Sequence, residues 1–210
     1  MGILGGTFNP PHLGHLAVAR HALQELELER VVLMPARLAP HKPAAEDPGP
    51  EHRLRMCELL LEGQRSLSAC ALELEREGPS YTVDTLTTIH ASHQQAQLTF
   101  IMGADTARTL PSWREPSRLL QLTDLAVAAR PSSARRGVLE IVARLSAGSG
   151  AQRPAAERVH FLDMPAIEIS SSMARARAAR GEPIEDLVGP PVAQYIAEQG
   201  LYRSRAEVPI

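Results

Sequence analysis

The sequence predicts an α/β fold in which a doubly wound parallel sheet carries helices on both faces. Short apolar runs rich in β-branched residues alternate with stretches in which apolar residues recur every three or four positions. Such alternation is typical of parallel strands that are joined by crossover helices. The chain has 210 residues, of which 44% are hydrophobic, so it is long enough and apolar enough to build this core.

The predicted elements fill most of the chain. The strands are expected at residues 2–4, 31–35, 69–74, 98–102, 124–129 and 159–162. The helices are expected at residues 16–26, 53–61, 83–90, 138–145, 171–179 and 190–198. Right-handed crossovers between parallel strands give a Rossmann-like sheet, whose ligands bind at the carboxyl ends of the strands.

We expect one domain over residues 1–202, whose C-terminal helical part covers about 170–202. A disordered tail is expected at residues 203–210. Residues 39–51 contain four prolines and predict a long loop, and the Gly-, Ser- and Ala-rich residues 147–157 predict a second connection.

Charge and cysteine content narrow the class of function. The net charge of −2 does not favour a nucleic-acid or membrane partner. Cys57 and Cys70 have neither disulfide-framework nor metal-pair spacing, which indicates reduced thiols and a cytoplasmic location. A secretory leader and a membrane-spanning segment are not expected.

Residues 5–15, GGTFNPPHLGH, follow the first predicted strand, and we call them the histidine turn. Gly5 and Gly6 permit close backbone approach, and a helix that begins here directs its free N–H groups at the strand ends. His12 and His15 are three positions apart, so both imidazoles lie on one face and can donate hydrogen bonds to phosphate. The turn therefore predicts a phosphate site.

Two alternatives stay open at this point. The pair of histidines can ligate zinc, although no Cys, Asp or Glu lies nearby in the sequence, and the turn can be purely structural. The glycine pattern of dinucleotide-binding folds and the P-loop pattern are both missing from the sequence.

Residues 169–175, ISSSMAR, form a second candidate anion site, which we call the serine segment. Serines 170–172 are good N-cap residues, so a helix is expected to begin here. Its free N–H groups, the hydroxyls and the guanidinium of Arg175 can bind an anion together. A capped surface helix is the alternative.

The histidine turn resembles the H-x-G-H signature of the nucleotidyltransferase superfamily. Its longer form and the serine segment are similar to those of the bacterial nicotinate mononucleotide adenylyltransferases. The resemblance extends from Gly5 to the ending VAQYIAEQGLY. Asn9 stands where many relatives carry Asp, and Ser172 replaces the commoner Thr; neither departure changes the expected chemistry.

Two motifs in the middle of the chain resemble the family's acceptor site. In GPSYTVDTL, Ser80 or Thr82 can cap a helix that starts near Val83 and whose N–H groups suit a carboxylate; a merely capped helix is the alternative. In GADTARTLPSW, Asp105 can accept hydrogen bonds from ribose or adenine, and Trp113 can stack on a pyridine ring. A core position is the alternative for this tryptophan.

Three basic residues resemble family positions. Lys42 lies on the loop after the second strand, where the resemblance implies contact with phosphates. Arg130 follows the fifth strand and is implied near the substrate phosphate. Arg53 matches a recurrent family arginine, for which the resemblance implies a structural role. For each of these residues surface charge is the alternative, and we favour that alternative for Arg53.

The resemblance implies transfer of the adenylyl group of ATP to nicotinate mononucleotide, with Mg²⁺ bound to ATP and no metal held by the protein. The implied catalytic residues are His12, His15 and Arg175. The implied ATP-binding residues are Gly5, Gly6, Thr7, Phe8, His15, Gly103, Asp105, Ile169, Ser170, Ser171 and Arg175. The implied residues for the mononucleotide are Lys42, Ser80, Tyr81, Thr82, Thr85, Trp113 and Arg130.

The rival interpretations are adenylyl transfer to nicotinamide mononucleotide or to phosphopantetheine, and a nucleotide sensor without catalytic activity. Homo-oligomerisation is compatible with all of them.

Overall fold

The computed structural model describes residues 1–40, 46–128, 132–147, 153–165 and 167–203. In this part of the chain six parallel strands form one sheet in the order β3-β2-β1-β4-β5-β6. The strands are β1 (Gly2–Gly6), β2 (Val31–Pro35), β3 (Leu67–Ala69), β4 (Thr99–Gly103), β5 (Asp124–Ala128) and β6 (Val159–Leu162). The predicted α/β fold is confirmed.

Helices connect the strands and cover both faces of the sheet. They are α1 (Leu13–Glu25), α2 (Pro50–Leu60), α3 (Leu72–Glu75), α4 (Thr82–Ser92), α5 (Ala104–Arg108), α6 (Pro116–Leu122), α7 (Ser132–Ser146), α8 (Ala155–Arg158), α9 (Ser171–Ala179), α10 (Glu185–Val188) and α11 (Pro190–Glu198). Both C-terminal helices that the sequence predicted are confirmed with the same bounds.

The core lies in two layers because successive strand residues point to opposite faces of the sheet. Leu4 packs in the cluster that contains α1, α2 and the C-terminal helices, whereas its neighbour Ile3 packs against α4, α6 and α7. The same alternation separates Ile101 from Phe100 in β4. Both faces of the sheet are therefore buried, as a parallel sheet requires.

The strand order reverses between β1 and β4, which pair directly through Gly2 and Thr99. The chain leaves β1 toward β2 on one side, and it leaves β4 toward β5 on the other side. A crevice is expected outside the carboxyl ends of strands at such a reversal, where α/β proteins bind ligands. The histidine turn follows β1, and Gly103 ends β4, so both border this point.

The strand predicted at residues 69–74 is wrong in its second half. Pairing ends at Ala69, opposite Leu33, and the chain then enters the short helix α3. The helical turn directs Glu73 inward, where its carboxylate accepts a hydrogen bond from Thr85. This tertiary contact outweighs the apolar alternation that suggested an extended strand.

Two loop predictions need correction at their ends. The loop predicted at residues 39–51 ends earlier, because α2 begins at Pro50, and a proline suits the first turn of a helix. The connection predicted at residues 147–157 runs into α8, which begins at Ala155. The described residues contain no helix that is long and apolar enough to span a membrane. The single-domain boundary stays a prediction, and residues 204–210 lie outside the described part.

Candidate active site

The histidine turn leaves the end of β1 through a tightly packed backbone. A side chain at Gly5 would meet the ring of Phe100 at 2.8 Å, and one at Gly6 would meet the ring of Phe8 at 3.1 Å. Phe8 is buried with a φ of 53° and places its ring edge-on to His15, with centroids 4.9 Å apart. The glycines therefore let this aromatic residue fold back beneath the turn.

His12 and His15 form a stacked pair at the start of α1. His12 is the N-cap, and the two ring centroids lie 3.7 Å apart at an interplanar angle of 27°. The backbone N–H of His12 donates to Nδ1 of His15 at 3.1 Å. The neutral His15 ring therefore carries its proton on Nε2, which remains a donor. The prediction that both imidazoles share one face is confirmed.

The His12 ring is buried, and it needs the adjacent glycine. Burial lowers the pKa of His12 to about 4, so the free protein holds a neutral imidazole at neutral pH. Its Nδ1 faces the first turn of α1 and has no hydrogen-bond partner of good geometry among the described residues. A Cβ at Gly14 would lie 2.9 Å from this nitrogen. Gly14 thus makes room for the ring.

The serine segment begins α9 and contacts the histidine turn directly. Ser170 is the N-cap, and its side chain accepts from the N–H of Met173 at 3.2 Å, as predicted. Oγ of Ser171 donates to the carbonyl of Pro10 at 2.8 Å. Arg175 donates to the carbonyl of Asn9 at 2.6 Å. The structure therefore brings together the two segments that were predicted to form one phosphate site.

This junction lies at the cis peptide bond between Asn9 and Pro10. The second guanidinium nitrogen of Arg175 reaches the hydroxyl of Ser172 at 3.3 Å. The guanidinium is thereby fixed beside the N-terminus of α9, where free N–H groups favour negative charge. Ile169 packs on the α1 side of the core and holds the start of the segment in place.

At the end of β4, Gly103 and Asp105 border the same edge of the sheet. Gly103 is exposed, and a side chain there would meet nothing within 4 Å. Asp105 lies in the first turn of α5 with 97% of its side chain exposed, and it pairs with Arg108 at 2.9 Å. Exposed pairs of this kind are weak, so the carboxylate can exchange its partner.

The GPSYTVDTL motif starts α4, but the predicted side-chain cap is wrong. The N-cap is Tyr81, the helix begins at Thr82, and no side chain caps it. Ser80 is buried, and its hydroxyl instead accepts from the N–H of Arg37 at 2.8 Å. The N–H of Ser80 also donates to the carbonyl of Leu38 at 2.9 Å, so this serine joins the start of α4 to the loop after β2.

Thr85 lies in a buried polar cluster behind this helix start. It is 1% exposed, and its hydroxyl donates to Oε1 of Glu73 at 2.6 Å. Arg76 donates to the same hydroxyl at 3.1 Å. Burial raises the pKa of Glu73, while hydrogen bonds from Thr85 and Ser80 and the charge of Arg76 oppose that shift. In this conformation the Thr85 hydroxyl is engaged with protein groups.

Trp113 is half-buried at the rim of the sheet edge. Its ring meets Phe100 edge-on at 6.0 Å, and its indole N–H donates to Thr109 at 2.9 Å. Nearby in sequence, the Arg114 guanidinium lies 4.9 Å from the ring centre of Tyr81. Trp113 is therefore not a closed core position, and the aromatic rim is compatible with the predicted stacking.

Arg53 contradicts the interpretation as surface charge. Its side chain is fully buried in α2, and its Nε bonds Asp47 at 2.9 Å. The guanidinium also donates to three backbone carbonyls, those of Thr7 at 2.8 Å, Ala36 at 2.7 Å and Arg37 at 3.2 Å. It thus joins the histidine turn to the loop after β2. The sequence offered one signal, the resemblance to a recurrent family arginine.

Lys42 and Arg130 lie outside the described residues, so their assignment to the substrate stays a prediction. Among the residues that the structure describes, no group of three or more His, Cys, Asp or Glu side chains is arranged to bind a metal.

Comparison with known proteins gives one consistent result. A family model described as Cytidylyltransferase-like matches residues 3–177. The probable nicotinate-nucleotide adenylyltransferase of Thermomicrobium roseum is 40% identical over 204 residues, which cover 97% of this chain and 92% of that protein. That of Geobacillus thermodenitrificans is 36% identical over 208 residues, which cover 99% of this chain and 88% of that protein.

Solved structures agree on the fold. The Plasmodium falciparum nicotinic acid mononucleotide adenylyltransferase complexed with NaAD superposes with a TM-score of 0.73 at 19% sequence identity, over 96% of both chains. The same enzyme complexed with APC gives a TM-score of 0.71 at 18% identity, again over 96% of both chains. With full-length relatives well above 30% identity, the chain belongs to the nicotinate-nucleotide adenylyltransferases, which are nucleotidyltransferases of the cytidylyltransferase-like family.

Proposed function

We propose that this enzyme transfers the adenylyl group of ATP to nicotinate mononucleotide, giving deamido-NAD and pyrophosphate in NAD biosynthesis. The observation that carries the proposal is the direct contact between the histidine turn and the serine segment, through Arg175 and Asn9. Family membership supports the choice of reaction, and the activity named for the relatives supports the choice of acceptor.

The reaction is an in-line displacement at the α-phosphorus of ATP. An oxygen of the mononucleotide's 5′-phosphate forms the new P–O bond, and the bond to the bridging oxygen breaks as pyrophosphate leaves with its electron pair. The nucleophile is already anionic, so a general base is not needed. Catalysis then consists of positioning and charge stabilisation, as in phosphoryl transfer generally.

His12, His15 and Arg175 take complementary roles in this scheme. His15 presents a neutral Nε2–H donor, because its Nδ1 is already occupied by the His12 N–H. His12 is neutral before the nucleotide binds, and a nearby triphosphate would raise its pKa and favour the charged form. Arg175 is held against the histidine turn through the Asn9 carbonyl and supplies permanent positive charge.

The acceptor would bind on the α4 and Trp113 side of the same sheet edge. The N–H groups at the start of α4 suit the nicotinate carboxylate, since Tyr81 rather than a side-chain oxygen occupies the N-cap. The half-buried Trp113 suits a pyridinium ring, to which cation–π attraction applies. Lys42 and Arg130 are the proposed partners of the phosphates.

Mg²⁺ is the proposed cofactor. It fits a site with backbone donors, imidazoles and a guanidinium only as a companion of ATP, because the described residues offer no carboxylate cage. Bound to the phosphate oxygens, it would neutralise part of their charge.

We place the enzyme in the cytoplasm, where the unpaired Cys57 and Cys70 would remain reduced. Small substrates rather than nucleic acid suit its net charge of −2. Self-association stays a prediction.

A side-by-side assay of pyrophosphate release tests the proposal. The protein is given ATP and Mg²⁺ with nicotinate mononucleotide, nicotinamide mononucleotide or phosphopantetheine. We expect the highest kcat/KM with nicotinate mononucleotide. Faster release with the amide or with phosphopantetheine would replace the proposed acceptor, and ATP binding without release in any mixture would indicate a sensor.

A further inference from the structure

The C-terminal end of the described chain reaches the ATP side of the site. Tyr202 follows α11, and its hydroxyl donates to Oδ1 of Asn9 at 2.6 Å, across 193 positions of sequence. Asn9 is buried at 7% exposure, and its backbone carbonyl accepts the Arg175 guanidinium. One residue of the histidine turn therefore receives two hydrogen bonds from two different C-terminal elements.

The surroundings of Tyr202 keep its hydroxyl a donor. Burial, followed by the negative charge of Asp47, raises the pKa of this phenol. The hydroxyl therefore stays protonated at neutral pH and holds the Asn9 side chain without changing its charge. Buried hydrogen bonds of this kind fix geometry, because an acceptor left without its partner pays a desolvation cost.

A change in the geometry around Asn9 would displace the groups that are proposed to act in the reaction. Ser171 donates to the carbonyl of Pro10, and His12, two residues later, is the N-cap of α1. Arg175 and the imidazole pair thus take their relative placement from a backbone segment of four residues. Misplacement of transition-state donors by a fraction of an ångström lowers turnover more than it lowers ground-state affinity.

We infer that Tyr202 is a positioning residue for adenylyl transfer, which holds Asn9 and thereby sets the Arg175 guanidinium against His12 and His15. This inference rests on the proposed function, since it assigns to Tyr202 an effect on that reaction. Tyr202 itself is not placed in contact with substrate.

Tyr202→Phe tests the inference, and Tyr195→Phe is its matched control. Tyr195 lies in α11, and its hydroxyl hydrogen-bonds Nδ1 of His52 at 2.8 Å rather than a residue of the histidine turn. Each variant loses one buried or half-buried hydroxyl contact and keeps the ring. For Tyr202→Phe we expect kcat to fall roughly tenfold and ATP KM to change less than threefold, whereas Tyr195→Phe keeps both constants.

A merely structural role predicts a different result. In that case Tyr202→Phe would lower the melting temperature but leave kcat per folded molecule within twofold of the wild type, and the inference would be overturned. Assays well below both melting temperatures, with the folded fraction measured by circular dichroism, separate these outcomes.

Coupling to Arg175 gives the second readout. If Tyr202 acts through the guanidinium, the loss in kcat from Tyr202→Phe should shrink at least threefold in an Arg175→Lys background. Full additivity of the two changes would overturn the inference.

If the wild type binds ATP by calorimetry but releases no pyrophosphate, the proposed function fails. The inference concerns this reaction and then falls with it, whereas wild-type pyrophosphate release together with an unchanged kcat in Tyr202→Phe overturns the inference alone.

Discussion

The proposed ATP side of the site, formed by the histidine turn and the serine segment, is built differently from the proposed acceptor side, formed by the start of α4 and Trp113. On the ATP side, Ser171 and Arg175 hold the histidine turn by direct hydrogen bonds to backbone carbonyls. On the acceptor side, Trp113 is half-buried, and its indole N–H donates to Thr109 of the same segment. The histidine turn is therefore held by contacts distant in sequence and the Trp113 rim by a local one, whereas the start of α4 is joined to the loop after β2 through Ser80.

We expect one side of the site to determine the rate of the reaction and the other to determine which acceptor is used. Donors for a triphosphate must keep fixed positions while charge moves from the α-phosphorus to pyrophosphate, so long-range ties suit them. An aromatic rim can select among acceptors with few contacts to the rest of the fold. Changes on the ATP side should therefore lower turnover with every acceptor, and changes on the acceptor side should alter the acceptor's KM.

The largest effect is expected for His15→Ala. The loss of a preorganised Nε2–H donor should lower kcat about 100- to 1,000-fold with any acceptor. Steady-state pyrophosphate release measures this effect. Circular dichroism should show a folded protein, because His15 is only half-buried.

His21→Ala, on the same helix and outside the site, is the matched control and should retain wild-type kcat. A wild-type kcat in His15→Ala would remove this imidazole from the mechanism.

The next effect concerns His12 and stability in mild acid. Its pKa is about 4 in the fold and about 6.5 when unfolded, so the unfolded chain binds the proton more tightly between these values. The stability that comes from burying a neutral His12 is fully present above about pH 6.5. As the pH falls toward 4, this part of the free energy of unfolding decreases by about 3 kcal/mol. Urea unfolding at several pH values measures this loss.

His12→Gln removes the titrating group, so the wild type and the variant should differ in the slope of stability against pH in this window. Other titrating groups cancel in that difference. Parallel curves would show that burial of His12 carries no such linkage.

The smallest effect is expected for Trp113→Leu. The loss of stacking and cation–π attraction should raise the KM for nicotinate mononucleotide roughly five- to tenfold, with ATP KM within twofold. Initial rates at varied acceptor and fixed saturating ATP measure it. Trp113→Phe keeps an aromatic face and should show a smaller increase. An equal rise in ATP KM would contradict the assignment of Trp113 to the acceptor side alone.

Much of the fold was predictable because its signals are periodic. The bounds of β2, β6, α9 and α11 agree with those expected, since apolar periodicity and caps such as Ser170 mark them directly. The error at residues 69–74 arose because Glu73 is drawn inward by Thr85, a contact between segments that no local pattern contains.

The site was predictable where its residues are consecutive. The histidine turn and the serine segment could each be recognised as a unit, and the structure joins them. The contacts of Arg53 and Tyr202 could not be predicted in this way, because their partners are backbone carbonyls and a side-chain amide far away in sequence. A single arginine or tyrosine carries no pattern that distinguishes such a contact from an exposed position.

The acceptors of Arg53 bear on how this protein can diverge. Its guanidinium binds the main chain at Thr7, Ala36 and Arg37, and every amino acid supplies a carbonyl there. The side chains at those positions can therefore drift without losing the connection, whereas the arginine cannot, because lysine lacks the fork needed to reach several oxygens. Mutational tolerance around the turn should thus be uneven, wide at the acceptor positions and narrow at the single donor.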